Sequence, residues 1–295
     1  MLLVSSLKIG FVTSTFLFYY PDWDLKKVVE WASSHGFEAL EIRCRPGSKH
    51  LDANKFSEEK ASEIKSLVER HNIIISALTE PMNNISGDLK ERRKNNEYLK
   101  RMIDACEALE VPVVSTWIGY VSPSLRGRFQ ANIDENMKAF GEVFPSLVDY
   151  AEDRGVKIAI ENCIGGGAHT PEIWDKMFRI VPSKSLGIEF DPSHLIWQMI
   201  DPIEAARRCL DRIYHVHCKD CEIIPSRLNY VGILGKGWFR DRTPGWGDVN
   251  WPKLISVLKE GGYDYVLCIE GHHDPLIKPP NDLILAQRYL KQFIP

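Results

Sequence analysis

The sequence carries no strong charge of either sign: 37 lysines and arginines face 40 aspartates and glutamates, a formal net charge of −3. That balance lacks the basic footprint of a nucleic-acid binder or a membrane-surface protein, so neither partner is expected. No apolar stretch approaches the roughly 20 residues that span a bilayer. The opening MLLVSSLKIG has too short an apolar run and too few basic residues for a secretory signal. The seven cysteines (Cys44, Cys106, Cys163, Cys209, Cys218, Cys221 and Cys268) are an odd and scattered set, which excludes a full disulfide framework. Reducing cytoplasm is the expected compartment. A glycine-rich phosphate turn is also missing: the first apolar run is followed by TSTFLFYYPDW, which demotes an open dinucleotide-binding sheet to second choice. No low-complexity linker divides the 295 residues.

What the sequence does have is alternation. Short apolar runs recur at 8–12 (KIGFV), 39–42 (ALEI), 73–77 (IIISA), 112–116 (PVVST), 157–161 (KIAIE), 186–191 (LGIEFD), 213–217 (IYHVH) and 265–270 (YVLCIE). Rich in β-branched residues and nearly continuous in apolar character, they suit parallel strands buried on both faces. Helical patterns at 25–35, 57–71, 89–110, 133–154, 202–210 and 251–260 fall between them. Ser57 ahead of Glu58 and Glu59, and Thr170 ahead of Pro171 and Glu172, read as helix starts; Gly36 and Gly261–Gly262 read as ends. Eight strands alternating with helices predict an α/β fold, one (β/α)8 TIM barrel domain over residues 1–295. A long, Gly-, Arg- and Trp-rich loop is expected after strand seven, at about 220–249.

The chemistry sits at the strand ends. Four consecutive runs finish on a metal-capable side chain: Glu161, Asp191, His217 and Glu270. In such barrels the carboxyl ends of the strands face one mouth, so these four predict one shared site. Three carboxylates and an imidazole suit Mn²⁺ first, with Mg²⁺, Co²⁺ or Zn²⁺ as alternatives, rather than a thiolate-rich structural zinc site. His215, two residues before His217, shares its face and reads as a supporting residue deeper in the barrel. His194, in DPSH, and Lys219, in HCKD, are expected to touch substrate. Asp220 fits either substrate contact or anchoring of the loop. His272 and His273 read as solvated loop histidines. Among Trp117, Trp197, Trp238 and Trp246, Trp117 is taken as a substrate-contacting aromatic. Arg43, Arg240 and Arg242 are expected in ordinary ion pairs rather than on a phosphate.

Together IEN (160–162), FDPSH (190–194), HVHCKD (215–220), PGWGDVNW (244–251) and IEGHHD (269–274) make the chain resemble the xylose isomerase-like barrel superfamily. The resemblance covers almost the whole sequence and falls in the sugar phosphate isomerase/epimerase branch, with ketose 3-epimerases and inosose isomerases and dehydratases as relatives. It implies the same four metal ligands and substrate contact by His194. Two positions depart from the ketose 3-epimerase pattern: Gly167 stands in place of a substrate-binding glutamate and Ile223 in place of an arginine. Endonuclease IV is excluded by the missing histidines after the third and seventh strands.

The expected function is therefore that of an enzyme, a divalent-metal-dependent sugar isomerase or epimerase. Glu161 and Glu270 would act as acid and base next to a carbonyl, through a metal-stabilised enediolate. The alternatives are a lyase (an inosose-type dehydratase or a 3-keto-glycoside β-eliminase) and, from another class, a non-catalytic sugar-binding barrel. The expected partner is a small sugar or cyclic polyol, and relatives of this branch suggest a homodimer or tetramer.

Overall fold

Each apolar run of the sequence forms a strand because both its faces find cover: side chains or the barrel lumen on one side, helices on the other. The computed structural model describes residues 7–122, 133–271 and 273–294. The barrel strands are β1 (Lys8–Val12), β2 (Ala39–Arg43), β3 (Ile74–Thr79), β4 (Val113–Thr116), β5 (Lys157–Glu161), β6 (Leu186–Phe190), β7 (Ile213–Cys218) and, after an excursion formed by β8 (Asp220–Ile223) and β9 (Phe239–Arg242), β10 (Val266–Ile269). They close in the order β1-β10-β7-β6-β5-β4-β3-β2, with parallel neighbours throughout. The expected single (β/α)8 barrel is what forms.

Around it lie α1 (Ser14–Tyr19), α2 (Leu25–Ser34), α3 (Glu58–Arg70), α4 (Leu89–Leu109), α5 (Ile133–Glu152), α6 (Pro171–Ile180), α7 (Ser193–Ile196), α8 (Pro202–Arg208), α9 (Pro225–Val231), α10 (Trp251–Glu260) and α11 (Asn281–Leu290). The anticipated starts are capped: the Ser57 hydroxyl accepts from Lys60 N, and Thr170 accepts from Ile173 N with Pro171 in the first turn. The main core fills the layer between strands and helices, from Phe11, Phe16 and Leu40 to Trp174, Trp251 and Leu258. Smaller clusters, around Val12, Ala39, Val266 and Cys268 and around Ala77, Val113 and Ala159, lie apart from it. Among the described residues no helix is long and apolar enough to cross a membrane.

Residues 220–249 are more ordered than a loop. β8 and β9 pair antiparallel from Asp220↔Arg242 to Ile223↔Phe239, with α9 at the tip. Asp220 pins the excursion. Its fully buried carboxylate accepts from the backbone N–H groups of Cys221, Gly245 and Val249 and from the Trp251 indole at 2.9–3.0 Å. Anchoring is thus the role the structure gives this residue.

Candidate active site

Strand periodicity sets the layers of the barrel lumen. On β5 the side chains of Ala159 and Glu161 share a face, on β6 Glu189 precedes Asp191, on β7 His215 precedes His217, and after β10 Cys268 precedes Glu270. The upper member of each pair stands at the carboxyl end of its strand. One ligand-capable atom from each of Glu161, Asp191, His217 and Glu270 lies within 4.8 Å of all the others. His217 Nδ1 is 3.7 Å from Glu161 Oε1 and 3.9 Å from Glu270 Oε2.

Each of these side chains is held by its unused side. The Trp117 indole donates to Glu161 Oε2 at 2.5 Å, leaving Oε1 to face His217. Asp191 Oδ1 accepts from both the backbone N–H (2.8 Å) and the hydroxyl (2.6 Å) of Ser193, so Oδ2 turns inward. Asn162 clamps the Asp191 backbone from both sides, donating to its carbonyl at 2.9 Å and accepting from its N–H at 2.6 Å. His217 Nε2 donates to Glu41 Oε2 at 2.8 Å, which leaves the buried Nδ1 with no hydrogen-bond partner. A buried polar atom without a partner is costly and calls for an explanation.

The layer beneath is a polar network inside the barrel. His215 lies 3.0 Å from Glu189 Oε1 through Nδ1 and 3.0 Å from Ser76 Oγ through Nε2, and the Ser115 hydroxyl donates to Glu189. Glu41, Glu189 and His215 are all fully buried. Both glutamates stand where strand register slips, between Leu40 and Glu41 on β2 and between Ile188 and Glu189 on β6. Such bulges re-aim side chains next to active sites. Burial, then the Glu41 carboxylate, push Glu189 up to about 7. Burial would raise Glu41 as well, but His217 and His215 outweigh it and hold its carboxyl below the usual range. His215 therefore lies where the sequence put it, below His217, while Glu41 and Glu189 are new to the site.

Lys219, next on the same face of β7, reaches into the cluster. Its ammonium lies 2.5 Å from Glu270 Oε2, 3.0 Å from Asp191 Oδ2 and 3.1 Å from His194 Nε2. His194 Nε2 is in turn 3.6 Å from Glu161 Oε1 and 3.5 Å from Asp191 Oδ2. Burial disfavours the charged forms, but the contacts prevail. The imidazoles of His194 and His217 facing Glu161 at 3.6 and 3.7 Å hold it well below the carboxylate range, Lys219 and His273 do the same for Glu270, and the carboxylates of Asp191 and Glu270 lift Lys219 well above the usual lysine value. His273 Nε2 lies 3.4 Å from Glu270 Oε1, whereas His272 falls outside the described residues.

These side chains line a cavity of about 330 Å³, with Trp117 and Cys163 on its wall. The partly exposed Cys163 thiol forms a second metal-capable group with Glu161 and His194. The other aromatics and arginines have partners of their own, although Arg43 also lines this cavity. Trp197 stacks on Phe239 with ring centroids 4.8 Å apart, Trp238 is buried, and Trp246 lies under Arg242. Arg43 pairs with Glu80 at 2.6 Å, and Arg240 and Arg242 share Glu222. Gly167 has φ +91°, and a Cβ there would meet the Gly119 carbonyl at 2.3 Å, so the glutamate of the epimerase pattern has no room.

Fold and site together define a closed (β/α)8 barrel that gathers three carboxylates and an imidazole at its carboxyl-end mouth. The chain belongs to the xylose isomerase-like TIM barrel family, whose model matches residues 29–293. An inosose dehydratase of Clostridium perfringens is 28% identical over 178 residues, 58% of this chain and 59% of that protein; the match thus spans about three-fifths of the relative's length. An uncharacterized protein of Methanocaldococcus jannaschii is 27% identical over 99% of this chain and 90% of its own length. The crystal structure of a D-tagatose 3-epimerase-like protein superposes with a TM-score of 0.74 at 25% identity, covering 97% of each chain.

Proposed function

We propose that this protein is a divalent-metal-dependent enzyme that removes a proton from the carbon next to a carbonyl in a sugar or cyclic polyol and returns it as an isomerase or epimerase. The observation that carries the reading is the partnerless, buried Nδ1 of His217, facing carboxylate oxygens of Glu161 and Glu270 at 3.7 and 3.9 Å. Charge supports the same cofactor. The carboxylates of Glu161, Asp191 and Glu270 converge within 4.8 Å around a single ammonium, that of Lys219, a concentration of negative charge that suits a cation. Glu161, Asp191, His217 and Glu270 would hold that ion, and its charge would favour negative charge developing on the substrate carbonyl oxygen. The mixed oxygen and nitrogen donors suit Mn²⁺ first.

The chain's own groups handle the proton. Glu161, held below the carboxylate range, is ionised at neutral pH and serves as base; Trp117 fixes its orientation. Glu270, the second carboxylate of the pair, delivers to the carbon a proton drawn from solvent while Glu161 releases its own to solvent, and the Lys219 ammonium bonded to Glu270 at 2.5 Å holds it in place. His194 and Trp117 line the cavity from the β6 and β4 sides and contact the substrate. A second reading, a lyase that loses water after the same deprotonation, is favoured by the similarity to inosose dehydratases.

The test is NMR in D₂O with a panel of ketoses and inososes and added Mn²⁺. Deuterium entering the carbon next to the carbonyl, at otherwise unchanged mass, is the expected result. Loss of water from the product moves the assignment to the lyase. No exchange with any member of the panel sinks the carbon-acid reading.

A further inference from the structure

The β8–β9 excursion sends one carboxylate into the catalytic cavity. Four acids lie between residues 220 and 249, and three of them serve the excursion's own structure. Asp220 holds its backbone and indole donors, Glu222 pairs with Arg240 and Arg242, and Asp248 accepts from the Ile223 N–H at 2.7 Å. Asp241 is the exception. Among the described residues its side chain has no hydrogen-bond or ion-pair partner, yet it lines the catalytic cavity with Glu161, His194 and Glu270.

Strand geometry fixes it there. Asp241 pairs in register with Cys221, and alternation puts it on the face that also carries Ile223 and Phe239. Phe239 stacks on Trp197 with ring centroids 4.8 Å and planes 4° apart. Trp197 closes α7, the short helix that carries His194, so this face of the hairpin packs on the His194 wall. The opposite face is occupied by the ion pairs of Glu222 with Arg240 and Arg242, and Arg242 also lies 3.3 Å from Asp274. Asp241 is thus held by its neighbours on both sides while its own carboxylate bonds to none of them, as a preorganised recognition group requires.

The fixed cations of the cavity are already engaged. Lys219 lies between Asp191 and Glu270, and Arg43 bonds Glu80 at 2.6 Å. An anionic substituent near Asp241 would meet a carboxylate and no unpaired lysine or arginine among the described lining residues. An ammonium would crowd a cavity that already holds these two cations and would hold a dication. Neutral hydroxyls suit the position, since one carboxylate accepts from more than one O–H group. Asp241 belongs to none of the metal-capable clusters, so it meets substrate away from the metal ligands.

We propose that Asp241 is a specificity-determining residue: it accepts hydrogen bonds from substrate hydroxyls on the side away from the metal, and it rejects substrates that carry a phosphate there. This rests on the carbon-acid reading above and adds the residue that sorts its substrates.

The test follows deuterium exchange from D₂O into D-fructose, D-tagatose and their 6-phosphates, using the full chain loaded with Mn²⁺. The wild type is expected to favour the free ketoses by roughly tenfold or more in kcat/KM. Asp241→Ala should lower kcat/KM for the free ketoses about tenfold, through KM rather than kcat. Its thermal midpoint should stay that of the wild type, because the side chain has no partner in the fold to lose. Asp241→Lys should reverse the order in favour of the 6-phosphates. Phosphates exchanged by the wild type as well as the free ketoses, or Asp241→Ala as efficient as the wild type on the free ketoses, overturns the proposal. If none of the four exchanges, calorimetric binding of D-sorbitol and D-sorbitol 6-phosphate decides the residue separately. Sorbitol bound by the wild type more tightly than its phosphate, and lost in Asp241→Ala, supports the role; equal binding by both proteins, or none by the wild type, overturns it. Only if the inososes fail to exchange as well has the carbon-acid reading failed.

Discussion

Single residues here act through the atom they leave exposed. His217 offers Nδ1 to the site because Glu41 engages Nε2, so Glu41→Gln should weaken Mn²⁺ binding about 10–100-fold without removing a ligand, measurable by competitive metal titration. Unchanged affinity would mean that the buried glutamate does not set the histidine. Glu161→Gln is expected to lower kcat by about 10³-fold, with the protein still folded. Trp117→Phe, which keeps the ring but removes the donor to Glu161, should cost roughly tenfold. Away from the site, burial lowers His50 to about 4 from an ordinary 6.5. The unfolded chain therefore takes up this proton first. The stabilising contribution is complete above about pH 6.5 and is lost as pH falls toward 4, about 3 kcal/mol in all. Urea titrations between pH 7.5 and 4.5 should show His50→Gln losing less stability over that window than the wild type; parallel curves would contradict this origin.

At the scale of elements, the β8–α9–β9 excursion depends on one carboxylate. Asp220→Asn keeps the size but cannot satisfy four N–H donors, and should cost roughly 2–4 kcal/mol, read as a fall in the thermal midpoint. A loss below half a kcal/mol would show that the excursion holds without it. This element was the part of the fold least legible in the sequence. Its strands DCEI and FRDR carry little apolar character, and their pairing across about 20 residues leaves no local periodicity to read. The barrel strands were legible because burial on both faces makes them apolar along their length: KIGFV and KIAIE were bounded to the residue, and the others to within two residues at each end. The four residues on strand ends were legible for a related reason, as each is where an apolar run gives way to a ligand-capable side chain. Glu41 and Glu189 were overlooked inside ALEI and LGIEF, although an acid in the middle of a buried run must find a charged or hydrogen-bonding partner and was the available signal. Asn162 and Ser193 were visible only as members of the motifs IEN and DPSH; Ser193 holds Asp191 from two residues away, whereas the hold of Asn162 needs the β5–β6 register, which sequence spacing does not reveal.

For the molecule as a whole, the closed barrel makes the site a property of topology. Glu161 and Glu270 are 109 positions apart in sequence and converge because β5, β6, β7 and β10 are consecutive around the barrel. A cation bound by four consecutive strands should stabilise the native state globally: Mn²⁺ at about 100 times its Kd would add roughly 2.7 kcal/mol, and EDTA should reverse the gain in thermal midpoint. The most direct measurement is the metal content of the purified protein after Mn²⁺ loading and desalting, for the wild type and for Asp191→Ala with His217→Ala. About one ion per chain in the wild type, lost in the double variant while the fold persists by circular dichroism, is the expected result. A wild type that retains no stoichiometric metal, or a double variant that retains as much as the wild type, would contradict the four-residue centre and the chemistry built on it.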